Sequence, residues 1–184
     1  MLKVDHCGRY DEPPPMVRTL LSVDSATKTG AHNDFSVISW WGLSQSGGVF
    51  LLDVWRQRAE YPELKRALRS QYEQKRPDLV LVEDAASGVQ IIQELRGEGL
   101  PLKPIKPVAD KITRASPFSA GVESGVVNLP NRAPWLADVE AEMRAFPNGA
   151  HDDFVDTGSM AYTELKGTMQ ASNFRNPLTH RKRA

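Results

Sequence analysis

The 184-residue chain has one cysteine, Cys7, so no internal disulfide framework can hold it together, and a reducing compartment suits it. No apolar run approaches the roughly 20 residues that a bilayer-spanning helix needs. The N-terminal stretch MLKVDHCGRYDEPPP has neither a long apolar core nor a cleavage-site pattern, so no secretory leader is read there. The chain lacks internal repeats and low-complexity tracts. It also lacks net charge, with 23 Lys and Arg against 23 Asp and Glu. Evenly mixed, those charges would argue against a nucleic-acid partner. What is present is an ordinary globular composition, 40% hydrophobic and 25% charged, which excludes a disordered chain. The length suits about one domain with a real core.

The pattern of elements is mixed. Residues 1–18 balance three acids with three bases and include Pro13-Pro14-Pro15, which reads as a linker or extended lead-in. Thr19–Val23, Phe35–Trp41 and Val49–Trp55 are short runs of apolar, β-branched and aromatic residues separated by turn-like segments. They predict an antiparallel three-strand meander. The period then changes. Pro62 opens a helical stretch in which Leu64, Leu68 and Tyr72 recur every four residues. Asp78–Glu83 is a buried-type strand, and a helix through Val89, Ile91, Ile92 and Leu95 stops at Gly97 and Gly99. Leu102–Val108, broken by Pro104 and Pro107, predicts an edge strand. Helices are predicted over Lys111–Ala120, Trp135–Phe146 and Asp152–Met169, with an extended piece at Gly125–Leu129. The basic end, residues 171–184, predicts a disordered tail, leaving 19–170 as the folded domain. The fold class is α/β, a central mixed sheet whose first three strands are antiparallel, flanked by helices.

Acids fall at the ends of three of these elements. Asp24 closes the first apolar run, Glu83 and Asp84 close the fourth, and Asp152, Asp153 and Asp156 open the last helix. Each has a simpler use: a turn former, a cap for the next helix, a complement to the helix dipole. Capping alone does not readily place acids at three such ends. Clustered carboxylates repel and are costly to bury without a cation. Hard oxygen ligands point to Mg²⁺ or Mn²⁺, and two such ions about 4 Å apart can activate water and stabilise a leaving oxygen in phosphodiester cleavage.

The series Val23-Asp24-Ser25-Ala26, Asn33-Asp34-Phe35-Ser36-Val37, Leu81-Val82-Glu83-Asp84-Ala85-Ala86-Ser87-Gly88 and His151-Asp152-Asp153-Phe154-Val155-Asp156 resembles the nuclease domain of tailed-bacteriophage large terminase subunits. Asp110-Lys111-Ile112-Thr113-Arg114-Ala115 and Gly125-Val126-Val127-Asn128-Leu129-Pro130 agree with it. Each motif is weak singly; their order and spacing over about residues 19–170 carry the likeness. The resemblance implies a ribonuclease H-like fold and a two-metal DNA endonuclease that cuts concatemeric viral DNA during packaging. It implies Asp24 as the first metal-binding acid, Glu83 or Asp84 as the second and Asp153 as the third, with Asp152 and Asp156 as neighbours. Asp84 is slightly favoured over Glu83, because it lies just past the strand. His151 is a candidate orienter or proton shuttle, although an exposed histidine at a helix start serves equally well. Mg²⁺ or Mn²⁺, two ions, would be the cofactor. Double-stranded DNA, a packaging ATPase domain, the portal and the small terminase subunit would be partners, in the host cytoplasm. The family's ATPase half is not matched, since no G-x-x-x-x-G-K-[ST] occurs. The chain is therefore expected to be either an excised nuclease domain or a short relative.

Charge is unevenly placed after all. Residues 138–156 carry six acids against Arg144, and 56–76 carry seven bases against three acids. Lys28, Arg58, Lys111 and Arg114 are candidate DNA contacts, Lys111 and Arg114 also candidates for charge compensation near the metals. Trp40, Trp41 and Trp55 read as sheet packing rather than base-stacking platforms. Two other functions stay open: a junction resolvase or transposase-type nuclease of the same fold, and a non-catalytic DNA-binding or packaging docking module.

Overall fold

The computed structural model describes residues 1–25, 35–84 and 87–174. Its strands are β1 (Gly8–Tyr10), β2 (Met16–Asp24), β3 (Ser36–Ser44), β4 (Val49–Gln57), β5 (Leu79–Glu83), β6 (Leu102–Ile105) and β7 (Val127–Pro130). Its helices are α1 (Tyr61–Lys75), α2 (Ser87–Arg96), α3 (Lys111–Glu123), α4 (Leu136–Ala145) and α5 (Asp153–Phe174). They build one mixed sheet in the order β1-β7-β4-β3-β2-β5-β6. The expected antiparallel meander is β2-β3-β4, and the remaining neighbours pair in parallel. The proline-broken strand β6 lies at an edge, where a missing N–H costs least.

Successive strand residues point to opposite faces, and this splits the core in two. Leu21, Val23, Ile38, Val80 and Val82 pack against Leu64 and Leu68 of α1 and Ile91, Ile92 and Leu95 of α2. Leu20, Val37, Trp41, Val54 and Leu81 pack on the other face against α3, α4 and α5. There Trp41 meets Phe118 edge to face, with ring centroids 5.9 Å apart, and stacks on Phe154 at 6.1 Å. Gly121 lets α3 and α5 close together: a Cβ at that position would lie 2.3 Å from the Tyr162 ring.

Residues 1–18, expected to be a linker or extended lead-in, dock on the domain instead. Leu2, Val4 and Cys7 are buried in the core under α3–α5, and β1 adds a parallel edge strand beside β7. Polar composition hid a few well-spaced apolar residues. The Pro13-Pro14-Pro15 run itself is exposed and belongs to no strand.

Candidate active site

β2 and β5 lie side by side in parallel, with Val23 opposite Val82, so Asp24 and Glu83 end together. Period-two alternation decides where they face. Asp24 is in step with Leu20, and Glu83 with Leu81, both of which pack in the core beneath α3–α5. Gly88, at the start of α2, allows close packing over the end of β5: a Cβ there would lie 2.0 Å from the Glu83 carbonyl oxygen. The first turn of α5 brings Asp153 and Asp156 to the same end of the sheet.

Crowding and burial leave these acids under-compensated. Desolvation first, then Glu83, Asp156 and Asp153, hold the Asp24 carboxyl well above the usual carboxylate range, and a hydrogen bond with Glu83 adds to the effect. Burial likewise raises Asp153, and it pushes Asp156 up to about 6.

Two arginines supply positive charge. Asp110 caps α3, its carboxylate accepting from the backbone N–H groups of Ile112 and Thr113 at 3.0 Å each, and so orients the first turn that carries Arg114. Arg114 donates to Glu83 Oε1 at 2.6 Å, and its Nη2 lies 3.2 Å from Asp156 Oδ1. Arg56, on β4, places Nη2 3.0 Å from Glu142 Oε2 and 4.0 Å from Asp153 Oδ2. Glu142, on α4, is buried and accepts through Oε1 from the backbone N–H groups of Phe154 (2.7 Å) and Val155 (3.1 Å). Burial pushes Glu142 up to about 7 despite those bonds.

Among the described residues, no three acidic, histidine or cysteine side chains stand in an arrangement that would hold an ion. The donor set nonetheless fits a hard divalent cation. Asp153 Oδ2 and Asp156 Oδ1 are buried and accept no hydrogen bond. Buried carboxylate oxygens that accept no hydrogen bond, next to a carboxyl whose ionisation its neighbours oppose, have the chemistry of a cation site. Arg114 meets part of that demand, and its guanidinium would have to yield for Glu83 and Asp156 to act as ligands.

A family model described as the terminase RNase H-like domain matches residues 21–165. The chain belongs to that family. Solved structures share its fold. The large terminase nuclease from thermophilic phage G20c with bound magnesium superposes with a TM-score of 0.66 at 18% identity, over 88% of this chain and 94% of that one. The G20c nuclease also has structures with bound cobalt and bound zinc. The Thermus phage P74-26 large terminase nuclease domain gives 0.65 at 18% identity, over 88% and 92%. A large terminase from another thermophilic bacteriophage gives 0.67 at 16% identity, and there 89% of this chain covers 43% of that one. No curated protein matches the chain in sequence.

Within this terminase-family fold the residues singled out from sequence separate. Asp24, Glu83, Asp153 and Asp156 come together. At the end of β5 it is Glu83 that contacts Arg114 and Asp24. Among the described residues Asp84 joins none of these side-chain contacts; its backbone N–H donates to the Ile105 carbonyl at 2.8 Å. Asp152 pairs with Lys111 at 2.8 Å. Arg114 lies in the pocket, against Glu83 and Asp156. His151 lies half-buried, its Nδ1 3.9 Å from Asp153 Oδ2, and its ring meets Phe35 edge-on at 5.1 Å. Arg58 stands over Phe35 at 4.8 Å and forms no ion pair with a described residue. Lys28 lies outside the described residues. Lys65 and Arg69 of the basic stretch pair with Glu94 and Glu98 on the outside of the helices, and Lys75 pairs with Asp53 over the Trp40 ring.

Arg56 and Glu142 were not singled out as site residues. The signal for Glu142 is its place on an apolar stripe: Val139, Glu142, Met143 and Phe146 recur at helical spacing, and the two hydrophobic helix positions beside it are buried.

Proposed function

We propose that the chain is a divalent-metal-dependent endonuclease that cuts double-stranded DNA, the nuclease part of a large terminase subunit acting in viral genome packaging. The observation that carries this reading is the convergence of Asp24, Glu83, Asp153 and Asp156 at the ends of β2 and β5 and the start of α5 in a terminase-family domain, with burial opposing ionisation of Asp24, Asp153 and Asp156. Asp24, Glu83 and Asp153 would be the principal ligands of two Mg²⁺ or Mn²⁺ ions, with Asp156 beside them and Asp152 or Asp84 at the rim. Bound there, the ions would supply Lewis acidity, lowering the pKa of water and neutralising charge on the phosphate. The chain's own residues do the rest. Asp24, central among the acids, fixes the spacing of the ligands. Arg114, once released from Glu83 and Asp156, would offer a guanidinium to a phosphate bound beside the acids. His151 orients Asp153. Arg58 would extend a positive rim for the DNA backbone, and Lys28, outside the described residues, is a further candidate for phosphate contact. In this role the domain would work in the host cytoplasm, with a packaging ATPase domain, the portal and a small terminase subunit.

The test is plasmid nicking with Mn²⁺ by wild type and by Asp24→Ala. Loss of at least about 100-fold in the variant is expected for a principal metal ligand; equal cutting would overturn the assignment. One observation favours a second reading, a non-catalytic DNA-binding or packaging docking module. Arg114 already bridges Glu83 and Asp156, as a guanidinium would in a pocket that never binds metal. Calorimetric titration with Mn²⁺ separates the two, since the module would show no saturable site.

A further inference from the structure

We infer that Glu142 is a positioning residue: by capping the first turn of α5 and fastening it to Arg56, it sets the places of Asp153 and Asp156. The inference rests on the nuclease reading for what those two acids do, and on geometry for how they are held.

An α-helix begins with backbone N–H groups that have no partner inside the helix. Such groups are usually served by the side chain at the N-cap or by water. In α5 two of them, on Phe154 and Val155, are served from another helix, by Glu142 Oε1 at 2.7 and 3.1 Å. Phe154 and Val155 are themselves fully buried, so water does not readily replace that oxygen. They lie between Asp153 and Asp156, so the bonds fix the stretch of backbone from which both acids project. The second oxygen, Oε2, lies 3.0 Å from Arg56 Nη2, and the same nitrogen lies 4.0 Å from Asp153 Oδ2. Arg56 is held in turn by the Phe35 ring, 4.3 Å below its guanidinium. The charges facing Glu142 are therefore Arg56 from β4 and Asp153 from α5. A glutamate buried for packing alone would need neither the two donors nor the shared arginine.

Groups that orient metal ligands typically change metal affinity 10–100-fold when removed. Glu142→Ala should leave a folded protein that binds Mn²⁺ at least about 10-fold more weakly by calorimetry. The amides of Phe154 and Val155 should exchange with solvent at least about 10-fold faster in the absence of metal. Glu142→Gln keeps an acceptor oxygen for those amides but turns an NH2 donor toward Arg56, so it should keep amide protection to within about 3-fold of wild type while losing only part of the Mn²⁺ affinity. A folded Glu142→Ala protein with wild-type affinity and wild-type exchange at those amides overturns the proposal. So does a folded Glu142→Gln protein that loses the protection of those amides yet binds Mn²⁺ as wild type does, an outcome readable even if the alanine variant does not fold. If wild type itself shows no saturable Mn²⁺ site, the nuclease reading fails, while the exchange rates still decide whether Glu142 holds the start of α5.

Discussion

The two faces of the sheet use charge in opposite ways. On the α1–α2 face the core is wholly apolar, and the ion pairs lie outside it: Lys65 with Glu94 and Glu98, and Arg69 with Glu98. Lys65 and other donors pull Glu94 down to about 2. On the α3–α5 face the acids lie at the edge of the core, and burial pushes them up, Asp156 to about 6 and Glu142 to about 7. One face places charge where solvent already stabilises it. The other holds charge where only a partner can, which is the arrangement expected of a site rather than of a scaffold.

That contrast can be broken by pH first. Acids with raised folded-state values stabilise the fold fully only below their unfolded values, near 4, and lose that contribution as pH climbs through their folded values. Metal-free protein should therefore lose stability between about pH 4.5 and 7.5. Asp156 alone, shifted from 3.8 to about 6, accounts for about 3 kcal/mol at one pKa unit per 1.4 kcal/mol, an order-of-magnitude figure. Glu94 has the opposite sign: its contribution is present above its unfolded value and fades as pH falls toward about 2. Urea denaturation across this range, with and without saturating Mn²⁺, checks the prediction. The decline toward neutral pH should flatten when metal is present.

A smaller effect is expected from Arg114→Ala. It strands Glu83 and Asp156 beside Asp24 and should cost metal-free protein about 2 kcal/mol. Saturating Mn²⁺ should recover most of that loss, since a cation then supplies the missing charge. A cost unchanged by metal would mean that Arg114 is simply structural. The smallest effect belongs to the other face. Lys65→Met should change stability by less than about 1 kcal/mol with no dependence on Mn²⁺, as for an exposed pair. A metal-dependent change there would erase the distinction between the faces.

Much of this arrangement was legible in the sequence. Alternating strands, the period change at Pro62 and the acids at Asp24, Glu83 and Asp153 all reflect local periodicity, and the fold keeps them. The turn of Glu83 toward α3–α5 was legible too, had the alternation been carried on from Leu81 by two residues. What was not legible depended on tertiary detail. The pairing of β3 with β4 slips between Trp40 and Trp41, so that Trp41 faces Leu51 while Trp40 faces Asp53. That irregularity resets the alternation and turns Val54 and Arg56 toward α4 and α5, where strict counting from Leu51 would have sent them to the opposite face. The docking of Leu2, Val4 and Cys7 was hidden for a different reason. Three apolar residues in a polar, proline-rich stretch give no period, and only the groove beside β7 and α3 gives them a place.

The central claim is that acids from β2, β5 and α5 form one metal centre. Manganese-soaked crystals, read by anomalous scattering, test it most directly. The account predicts anomalous peaks within coordination distance of Asp24, with Glu83 and an α5 aspartate completing the shell and Arg114 moved off Glu83. Soaked crystals with no peak at Asp24, and with Arg114 still bridging Glu83 and Asp156, would contradict it.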